Sequence, residues 1–250
     1  MFELTGKVAL ISGGSRGLGL QIAKGLAEMG AKIAISARKA PELEEARDEL
    51  STLGAEVFTV TNDLAKEAQP AALIDAVAAH FGKLDILVNN AGATWGARAE
   101  EHPLEAWNKV MNLNATSVFA LSQAAANRCF IPQGCGNIII VASTAALRAG
   151  MQMQAAAYYS SKAAALHLTR ALAVEWGKYN IRVNAICPGF FPSKMADGLL
   201  KTIGADVIAR TPLGRMGDDT DLKGAAVYLA SAASKHVTGQ YIAVDGGASI

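Results

Sequence analysis

Tyr158 and Lys162 stand four residues apart in the stretch Tyr158-Tyr159-Ser160-Ser161-Lys162. Residues at this spacing share one face of a helix, so a phenol and an ammonium would be neighbours. A free phenol, with a pKa near 10, exchanges protons poorly at neutral pH, and a nearby cation lowers that pKa. The pair is therefore typical of proton transfer to or from an oxygen atom, with Tyr158 as acid or base. Such pairs also occur by chance, and Tyr159 could contact the same lysine.

A glycine-rich turn opens the chain, in Ser12-Gly13-Gly14-Ser15-Arg16-Gly17-Leu18-Gly19. It follows a predicted strand and precedes a predicted helix. Gly13, Gly17 and Gly19 would let the backbone approach a pyrophosphate, whose charge the helix N-terminus favours. Any tight turn can use glycines, but the strand–turn–helix context makes a dinucleotide site the better interpretation.

The end of the second predicted strand discriminates between coenzymes. An acidic residue there would bind the ribose 2′-hydroxyl of NAD and repel the 2′-phosphate of NADP. The segment Ser36-Ala37-Arg38-Lys39 has no acid before Glu42. Arg38 is suited to bind a 2′-phosphate, and Arg16 can join it. The alternative is two solvated surface arginines. We expect NADP(H) as the cofactor.

Ser143 follows another predicted strand, at the edge where parallel sheets bind ligands. Its hydroxyl could hydrogen-bond a substrate oxygen and position it for Tyr158. Thr144 is an alternative hydroxyl.

Short apolar runs alternate with amphipathic helical segments along the whole chain. The runs predict strands at Val8–Ile11, Lys32–Ser36, Glu56–Val60, Leu84–Val88, Asn137–Val141, Ile181–Ile186 and Tyr241–Val244. Continuous apolar strands between helices predict a parallel sheet covered on both faces. The expected fold is α/β, a single-domain, Rossmann-like, doubly wound parallel sheet over residues 1–250, with a substrate lid at about 190–215.

Composition narrows the partners. The chain of 250 residues is 51% hydrophobic and 18% charged, with a formal net charge of +1. This charge offers no long-range attraction to nucleic acid or an anionic membrane. The residues after Met1 do not look like a signal peptide, so we expect no leader. No apolar run reaches ~20 residues, and the cysteines and histidines lack metal-ligand spacing. We expect a cytoplasmic protein without a metal, nucleic-acid or membrane partner.

These motifs, in this order, resemble the short-chain dehydrogenase/reductase family. The glycine spacing, Asn89-Asn90-Ala91-Gly92, the Tyr-x-x-x-Lys pair and Pro188-Gly189 all match, and the resemblance runs from Gly6 to Gly247. It is nearest to 3-oxoacyl-carrier-protein reductases and gluconate 5-dehydrogenase-like members. Two departures are Ser12, where threonine is usual, and a gap from Ser143 to Tyr158 that is a couple of residues longer.

The resemblance implies a role for each matching residue. Asn114, with Asn112 as its rival, would hold a water that connects Lys162 to solvent. Lys162 would lower the pKa of Tyr158 and hold the nicotinamide ribose. Asn89 would connect the central strands. Asp63 would bind the adenine, or else cap a helix. The implied catalytic residues are Asn114, Ser143, Tyr158 and Lys162, and the implied cofactor-binding residues are Ser12, Gly13, Ser15, Arg16, Gly17, Leu18, Gly19, Arg38, Asp63, Leu64, Asn90, Ala91, Gly92, Tyr158, Lys162, Pro188, Gly189, Phe191 and Ser193.

The expected activity is NADPH-dependent reduction of a 3-oxoacyl thioester or similar ketone, in fatty acid biosynthesis, with the substrate carried on CoA or acyl carrier protein. Arg128, Arg170 and Lys178 could dock the acidic carrier or be ordinary surface charges. Trp95, Met151, Met153 and Phe191 suggest an apolar pocket or ordinary core packing. One alternative is a polyol or sugar-acid dehydrogenase with a polar pocket. Another is a non-catalytic NADP-binding sensor. Family members are typically homotetramers.

Overall fold

The computed structural model of the chain describes residues 1–150, 153–192 and 197–250. Its strands are β1 (Val8–Ser12), β2 (Lys32–Ala37), β3 (Val57–Thr61), β4 (Ile86–Asn89), β5 (Gly136–Val141), β6 (Ile181–Pro188) and β7 (Tyr241–Val244). Its helices are α1 (Gly17–Glu28), α2 (Ala40–Ser51), α3 (Gln69–Phe81), α4 (Leu104–Met111), α5 (Ser117–Ala125), α6 (Ile131–Gln133), α7 (Ala156–Trp176), α8 (Asp197–Arg210) and α9 (Lys223–Ala230).

The described strands form one seven-stranded sheet in the order β3-β2-β1-β4-β5-β6-β7. Every pairing between neighbouring strands is parallel. Parallel neighbours need long crossover connections, and the helices between the strands supply them. The expected single-domain, Rossmann-like α/β fold is confirmed.

Apolar side chains leave the strands on both faces of the sheet. Along β1, Leu10 belongs to the core on one face and Ile11 to the core on the other. Leu73, Leu121 and Leu172, from α3, α5 and α7, cover the first face. Ile22, Leu43 and Leu229, from α1, α2 and α9, cover the second. Because both faces are covered, the strands read as continuous apolar runs rather than alternating ones.

The direction of winding reverses between β1 and β4, which lie side by side at the centre. Their register pairs Ile11 with Val88. The connections that follow them turn towards opposite faces, and this opens a crevice at the carboxyl ends of the strands. The glycine turn after β1 and the Asn89-Asn90 dipeptide at the end of β4 therefore meet at one edge.

Most predicted strand limits agree with the observed ones to within two residues. β4 begins at Ile86 rather than Leu84. Just before it, the Asp85 carboxylate accepts the backbone N–H of Val8, at 2.9 Å, and pairs with two lysines, Lys7 and Lys83. β6 runs on to Pro188, opposite Val244 of β7. No helix in the described part of the chain is long and apolar enough to cross a membrane.

Candidate active site

The turn between β1 and α1, which we call the glycine cradle, has glycines at positions where other residues would be strained or would clash. Gly13 and Gly17 have φ of +64° and +54°, the left-handed region that other residues avoid. A Cβ on Gly19 would lie 2.3 Å from the carbonyl oxygen of Gly13 and 2.4 Å from Nδ2 of Asn90. The turn is therefore closely packed, and its glycines place no side chain between the backbone and a pyrophosphate. Ser15, within the turn, is buried.

Ser12 and Asn90 join the two central strands at this turn. The Ser12 hydroxyl accepts the backbone N–H of Asn90 (3.0 Å) and of Ala91 (3.2 Å), and it donates to the carbonyl oxygen of Val88 (3.3 Å). The Asn90 side-chain amide donates to the carbonyl oxygens of Ser12 and Gly13, each at 3.0 Å. The Ser12 hydroxyl thus connects the end of β1 to the end of β4.

The prediction that Asn89 connects the central strands is wrong in its residue. The Asn89 side chain is buried on the other side of β4, where its amide donates to the hydroxyl of Ser122 in α5, at 3.0 Å. Asn89 is the last residue of β4, whereas the residue after it lies beyond the strand, where its amide reaches the carbonyl oxygens of Ser12 and Gly13. That residue is Asn90.

Two arginines lie at the rim of the crevice. Arg38, directly after β2, is exposed. Arg16 pairs with Glu42 at 3.3 Å, and Lys39 pairs with the same Glu42 oxygen at 3.2 Å. Sequence reasoning named Arg16 and Arg38 but gave no role to Lys39 or Glu42, because nothing in the spacing shows that α2 carries Glu42 back to the glycine turn.

Asp63 and Leu64 lie just beyond the end of β3. The Asp63 carboxylate accepts the backbone N–H of Ala65, at 3.2 Å, in a local turn. Since α3 begins only at Gln69, Asp63 is not that helix's cap. Leu64 is buried in the core. Asp63 is half-buried, so of the two side chains it is the one with a surface to offer a ligand.

The loop after β6 returns to the glycine turn. A cavity of about 400 Å³ is lined by Gly17 and Leu18 on one side and by Phe191 and Pro192 on the other. Phe191 is itself buried and packs so closely on Gly217 that a Cβ there would lie 2.3 Å from its ring. Phe191 therefore acts here as a core side chain at the edge of the cavity.

Pro188 and Gly189 fix the start of this loop. Pro188 is the last residue of β6, and the Gly189 N–H donates to the carbonyl oxygen of Val244, at 3.0 Å. A Cβ on Gly189 would lie 2.8 Å from that of Asp245. Ser193, which the sequence assigns to cofactor binding, lies outside the described residues, as does Met151.

Asn114 is held in a π-helical turn, Asn112–Thr116, between α4 and α5. It is 1% exposed. Its Oδ1 accepts the backbone N–H of Ala93 and its Nδ2 donates to the carbonyl oxygen of the same residue, both at 2.8 Å. Nδ2 also donates to the Ser161 hydroxyl, at 3.0 Å. Asn112 instead reaches an exposed carbonyl, that of Ala65.

The amide of Asn114 and the ammonium of Lys162 both lie beside Gly92. A Cβ on Gly92 would lie 3.2 Å from Asn114 Oδ1 and 3.6 Å from Lys162 Nζ. A side chain at this position would therefore crowd both polar groups. The small residue keeps this part of the crevice open to them.

Tyr158 and Ser143 meet at the same edge. Tyr158 is in the first turn of α7, and the side chain of Ser143, beyond β5, hydrogen-bonds its phenol. Burial raises the pKa of Tyr158 above its usual value of 10, and the Ser143 hydrogen bond opposes this only in part. The expected lowering by Lys162 is not observed in the chain alone, because Lys162 Nζ is 5.8 Å from the ring centroid and donates elsewhere.

Lys162 is buried, and its ammonium donates to the carbonyl oxygen of Val141, at 2.8 Å. Burial lowers its pKa from 10.5 to about 8. Beneath it lies Cys187, a buried thiol of β6 that sequence reasoning did not single out. Burial raises the pKa of this thiol to about 11, although the backbone N–H of Ser143 and the charge of Lys162 act in the opposite direction.

Tyr159 faces away from these groups. Its hydroxyl bonds to the N–H and the carbonyl oxygen of Gly150, both at 3.1 Å. It lines a separate cavity of about 480 Å³ together with Met153, Arg98 and Gln154. Trp95, proposed for an apolar pocket, is 46% exposed.

The arrangement can transfer a proton at one end of the crevice and hold an anionic dinucleotide at the other. Asn114, from the π turn, and Lys162, from α7, lie beside Gly92. The Tyr158 phenol bonds to Ser143, in the loop after β5, and its ring centroid is 5.8 Å from Lys162 Nζ. Within the described ranges, no group of three or more histidine, cysteine or acidic side chains is arranged to hold a metal ion.

Comparison with known proteins decides the family. A family model described as enoyl-(acyl carrier protein) reductase matches residues 13–249. The chain belongs to the short-chain dehydrogenase/reductase family. It is therefore an oxidoreductase of the kind that acts on CH–OH and C=O groups, as the sequence led us to expect.

Individual members of the family align along nearly the whole chain. The 2-dehydro-3-deoxy-D-gluconate 5-dehydrogenase of Dickeya dadantii is 43% identical over 98% of this chain and 96% of its own. The rhamnolipids biosynthesis 3-oxoacyl-[acyl-carrier-protein] reductase of Pseudomonas aeruginosa is 40% identical over 98% and 97%. The crystal structure of a gluconate 5-dehydrogenase from Burkholderia cenocepacia, in complex with NADP and tartrate, is 37% identical, covers 99% and 96%, and has a TM-score of 0.93.

Proposed function

We propose that the chain is an NADP(H)-dependent oxidoreductase that interconverts a secondary alcohol and a ketone. The observation that carries this proposal is the pairing of the Tyr158 phenol with Ser143, its ring 5.8 Å from the ammonium of Lys162, which lies beside Gly92 with Asn114. When bound, NADPH supplies the hydride for reduction. A non-catalytic sensor would need the glycine turn but would have no use for this second set of residues.

Tyr158 is the proton donor in reduction and the acceptor in oxidation. Burial raises its pKa, so the phenol carries its proton at neutral pH, as an acid must. Ser143 bonds to the phenol and would share the oxygen of the substrate with it, which fixes the carbonyl for proton transfer. As the proton leaves, the developing phenolate is stabilised by the Ser143 hydrogen bond and by the ammonium of Lys162.

Lys162 and Asn114 support that step. The Lys162 ammonium is close enough to the crevice to hold a ribose hydroxyl, and its pKa of about 8 lets it exchange a proton near neutrality. The Asn114 amide bonds to both backbone groups of Ala93. It would hold the β4 loop open for the coenzyme and keep a water in reach of Lys162.

The coenzyme assignment rests on the glycine cradle and on the cations Arg16 and Arg38. A 2′-phosphate would meet both, and no acidic residue stands directly after β2. The gluconate 5-dehydrogenase structure from Burkholderia cenocepacia contains NADP. We assign the coenzyme to Ser12, Gly13, Ser15, Arg16, Gly17, Leu18, Gly19, Arg38, Asp63, Leu64, Asn90, Ala91, Gly92, Tyr158, Lys162, Pro188, Gly189, Phe191 and Ser193, the last of which lies outside the described residues.

A sugar acid is the substrate class that we place first. This reverses the order expected from the sequence, because the relative from Dickeya dadantii and the structure from Burkholderia cenocepacia are both named for sugar-acid dehydrogenation. A 3-oxoacyl thioester is the second candidate, favoured by the Pseudomonas aeruginosa relative.

Docking of an acyl carrier has little support from the surface. Of the three cations that the sequence offered for it, Arg128 pairs with Asp75, at 2.5 Å, and Lys178 lies 5.0 Å from the centre of the Tyr179 ring. We retain a homotetramer, a cytoplasmic location and a lid at about 190–215 as parts of the proposal. The exposed small residues Ala163 and Ala164 on α7 would allow close packing of a second copy.

Tyr158→Phe tests the reaction, with Tyr159→Phe as the matched control. We expect Tyr158→Phe to lose at least about a thousandfold in kcat while NADPH binding, followed by coenzyme fluorescence, stays within about twofold. Tyr159→Phe should keep most of its turnover, since its hydroxyl bonds to Gly150, away from Ser143 and Lys162. Full activity in Tyr158→Phe would remove the proposed mechanism.

The substrate is tested by comparing turnover of NADPH with 2-dehydro-3-deoxy-D-gluconate, 5-dehydrogluconate and acetoacetyl-CoA. We expect the first two to exceed the thioester in kcat/KM. Turnover confined to acetoacetyl-CoA would reverse our order of candidates and leave the mechanism intact.

A further inference from the structure

A small group of charged side chains lies where β2 ends and α2 begins. The carboxylate of Glu42, in the first turn of α2, uses one oxygen for two cations, Arg16 Nη1 at 3.3 Å and Lys39 Nζ at 3.2 Å. Its side chain is 20% exposed, against 49% and 67% for those of Arg16 and Lys39. The least solvated member of the group is therefore the negative one.

This carboxylate pairs with Arg16, one of the two cations that we assign to the coenzyme's 2′-phosphate, and with Lys39, which directly follows the other, Arg38. NADP(H) and NAD(H) differ only in that phosphate, which carries about −1.5 to −2 charges at neutral pH. The phosphate must replace Glu42 as the partner of Arg16 and Lys39, and it is repelled by the carboxylate. A 2′-hydroxyl meets no such repulsion, and a carboxylate near the end of the second strand can accept its hydrogen bond.

We propose that Glu42 is a specificity-determining residue that restrains the preference of this chain for NADP(H) over NAD(H). It acts as an internal counter-anion to Arg16 and Lys39 and weakens the binding of the phosphorylated coenzyme. It leaves the binding of NAD(H) unchanged or strengthens it. This inference rests on the proposed NADP(H) function and goes beyond it, because the arginines alone would give a stronger preference.

The size of the effect follows from charge and distance. A single charge about 7 Å from a phosphate in water-like surroundings changes affinity by roughly three- to tenfold at low salt. Salt screens exposed charges over about 10 Å at 0.1 M, so the change should shrink to less than about twofold at 0.5 M. The expected signature is thus a salt-dependent gain for one coenzyme only.

Glu42→Gln is the test, with Glu44→Gln as its matched control. Both variants remove one negative charge from the first half of α2, but Glu44 pairs with Arg47 on the same helix and touches neither Arg16 nor Lys39. The dissociation constants of NADPH and NADH are measured by coenzyme fluorescence for the full chain, in 20 mM and 500 mM NaCl. Thermal melting checks that each variant is folded.

Tighter NADPH binding in Glu42→Gln by roughly threefold or more at low salt, with NADH unchanged or weaker and Glu44→Gln like wild type, supports the proposal. Unchanged NADPH binding, an equal gain for both coenzymes, or an equal gain in Glu44→Gln would overturn it. Weaker NADPH binding would overturn it too, since Glu42 would then be orienting Arg16 for the phosphate.

A separate variant distinguishes this outcome from a failure of the proposed function. If Arg38→Asp leaves the ratio of NADPH to NADH affinities unchanged, the assignment of the 2′-phosphate site is wrong, whatever Glu42→Gln does. If Arg38→Asp reverses the ratio and Glu42→Gln has no effect, the site is correct and only the role of Glu42 is lost.

Discussion

Replacing Gly19 with alanine sets two physical effects against each other. Gly19 is the third residue of α1, and in an unobstructed helix alanine is more stable than glycine by about 1 kcal/mol. Here the new methyl group would lie 2.3 Å from the carbonyl oxygen of Gly13 and 2.4 Å from Nδ2 of Asn90. Neither is the free end of a flexible side chain, since Gly13 is backbone and Asn90 is held by two hydrogen bonds.

The crowding outweighs the helix propensity. Forcing a group into a packed site costs about 1–3 kcal/mol. Opening the turn also weakens the two Asn90 hydrogen bonds, which contribute about 1 kcal/mol each. With both bonds lost, and after subtracting the gain in propensity, we expect Gly19→Ala to lower the free energy of unfolding by about 2–4 kcal/mol, or the melting temperature by roughly 4–16 °C. NADPH should bind at least about tenfold more weakly, because its phosphates need this turn closed.

Thermal melting by circular dichroism and NADPH fluorescence titration measure the two effects. The control is Gly224→Ala in α9, where nothing lies within 4 Å of the added Cβ. That variant should be neutral or more stable by up to about 1 kcal/mol and should bind NADPH normally. Our reasoning about the cradle is refuted if Gly19→Ala melts at or above the wild-type temperature and binds NADPH as wild type does.

Two further predictions concern the reacting end. Because burial lowers the pKa of Lys162 to about 8, its ammonium is present below that pH and is lost above it. We therefore expect kcat/KM for NADPH to fall roughly tenfold per pH unit above about pH 8. Lys162→Arg should remove this decline, because arginine stays charged. A level profile of the wild type up to pH 10 would contradict the role of the ammonium. Asn114→Ala leaves both backbone groups of Ala93 without their side-chain partner and should lower the free energy of unfolding in urea by about 2–4 kcal/mol. Asn112→Ala should lower the free energy of unfolding by no more than about 1 kcal/mol, because the bond of Asn112 to Ala65 is exposed. Equal losses in the two variants would contradict our account of the π turn.

The sequence predicts the fold well because the sheet is parallel and buried on both faces. Each strand is then an unbroken apolar run between polar helices, which is the pattern that hydrophobic periodicity detects best. Contacts between residues far apart in the chain are not predicted in this way. The bond of the Asp85 carboxylate to the backbone of Val8, at the start of β1, is one of them.

The site is predictable only as far as spacing carries it. The distance from Tyr158 to Lys162 is set within one helix, so the pairing could be read locally. The choice between Asn89 and Asn90 depends on where β4 ends and on which of the two amides then reaches the carbonyl oxygens at the end of β1, and spacing does not determine it. The π turn of Asn114, the buried position of Cys187 and the contact of Glu42 with Arg16 depend on tertiary packing, for which no local pattern exists.

The raised pKa of Tyr158 shows a similar limit. Spacing indicates that an ammonium is near a phenol, but burial affects both groups and acts on their proton affinities in opposite directions. It disfavours the charged form of each. Which influence prevails depends on how deeply the pair lies in the crevice, and only the three-dimensional structure gives that depth.

The seam between β1 and β4 divides the labour of the molecule along the chain. The two arginines that we assign to discrimination between the dinucleotides, Arg16 and Arg38, come before β4, whereas the residues that we assign to the carbonyl chemistry, Ser143, Tyr158 and Lys162, come after it. Hydrogen bonds between Ser12 and Asn90 connect these two parts of the chain. We therefore expect that coenzyme preference and substrate range can be altered independently, by point changes or by recombining parts from different relatives. The condition is that Ser12 and Asn90 are both kept.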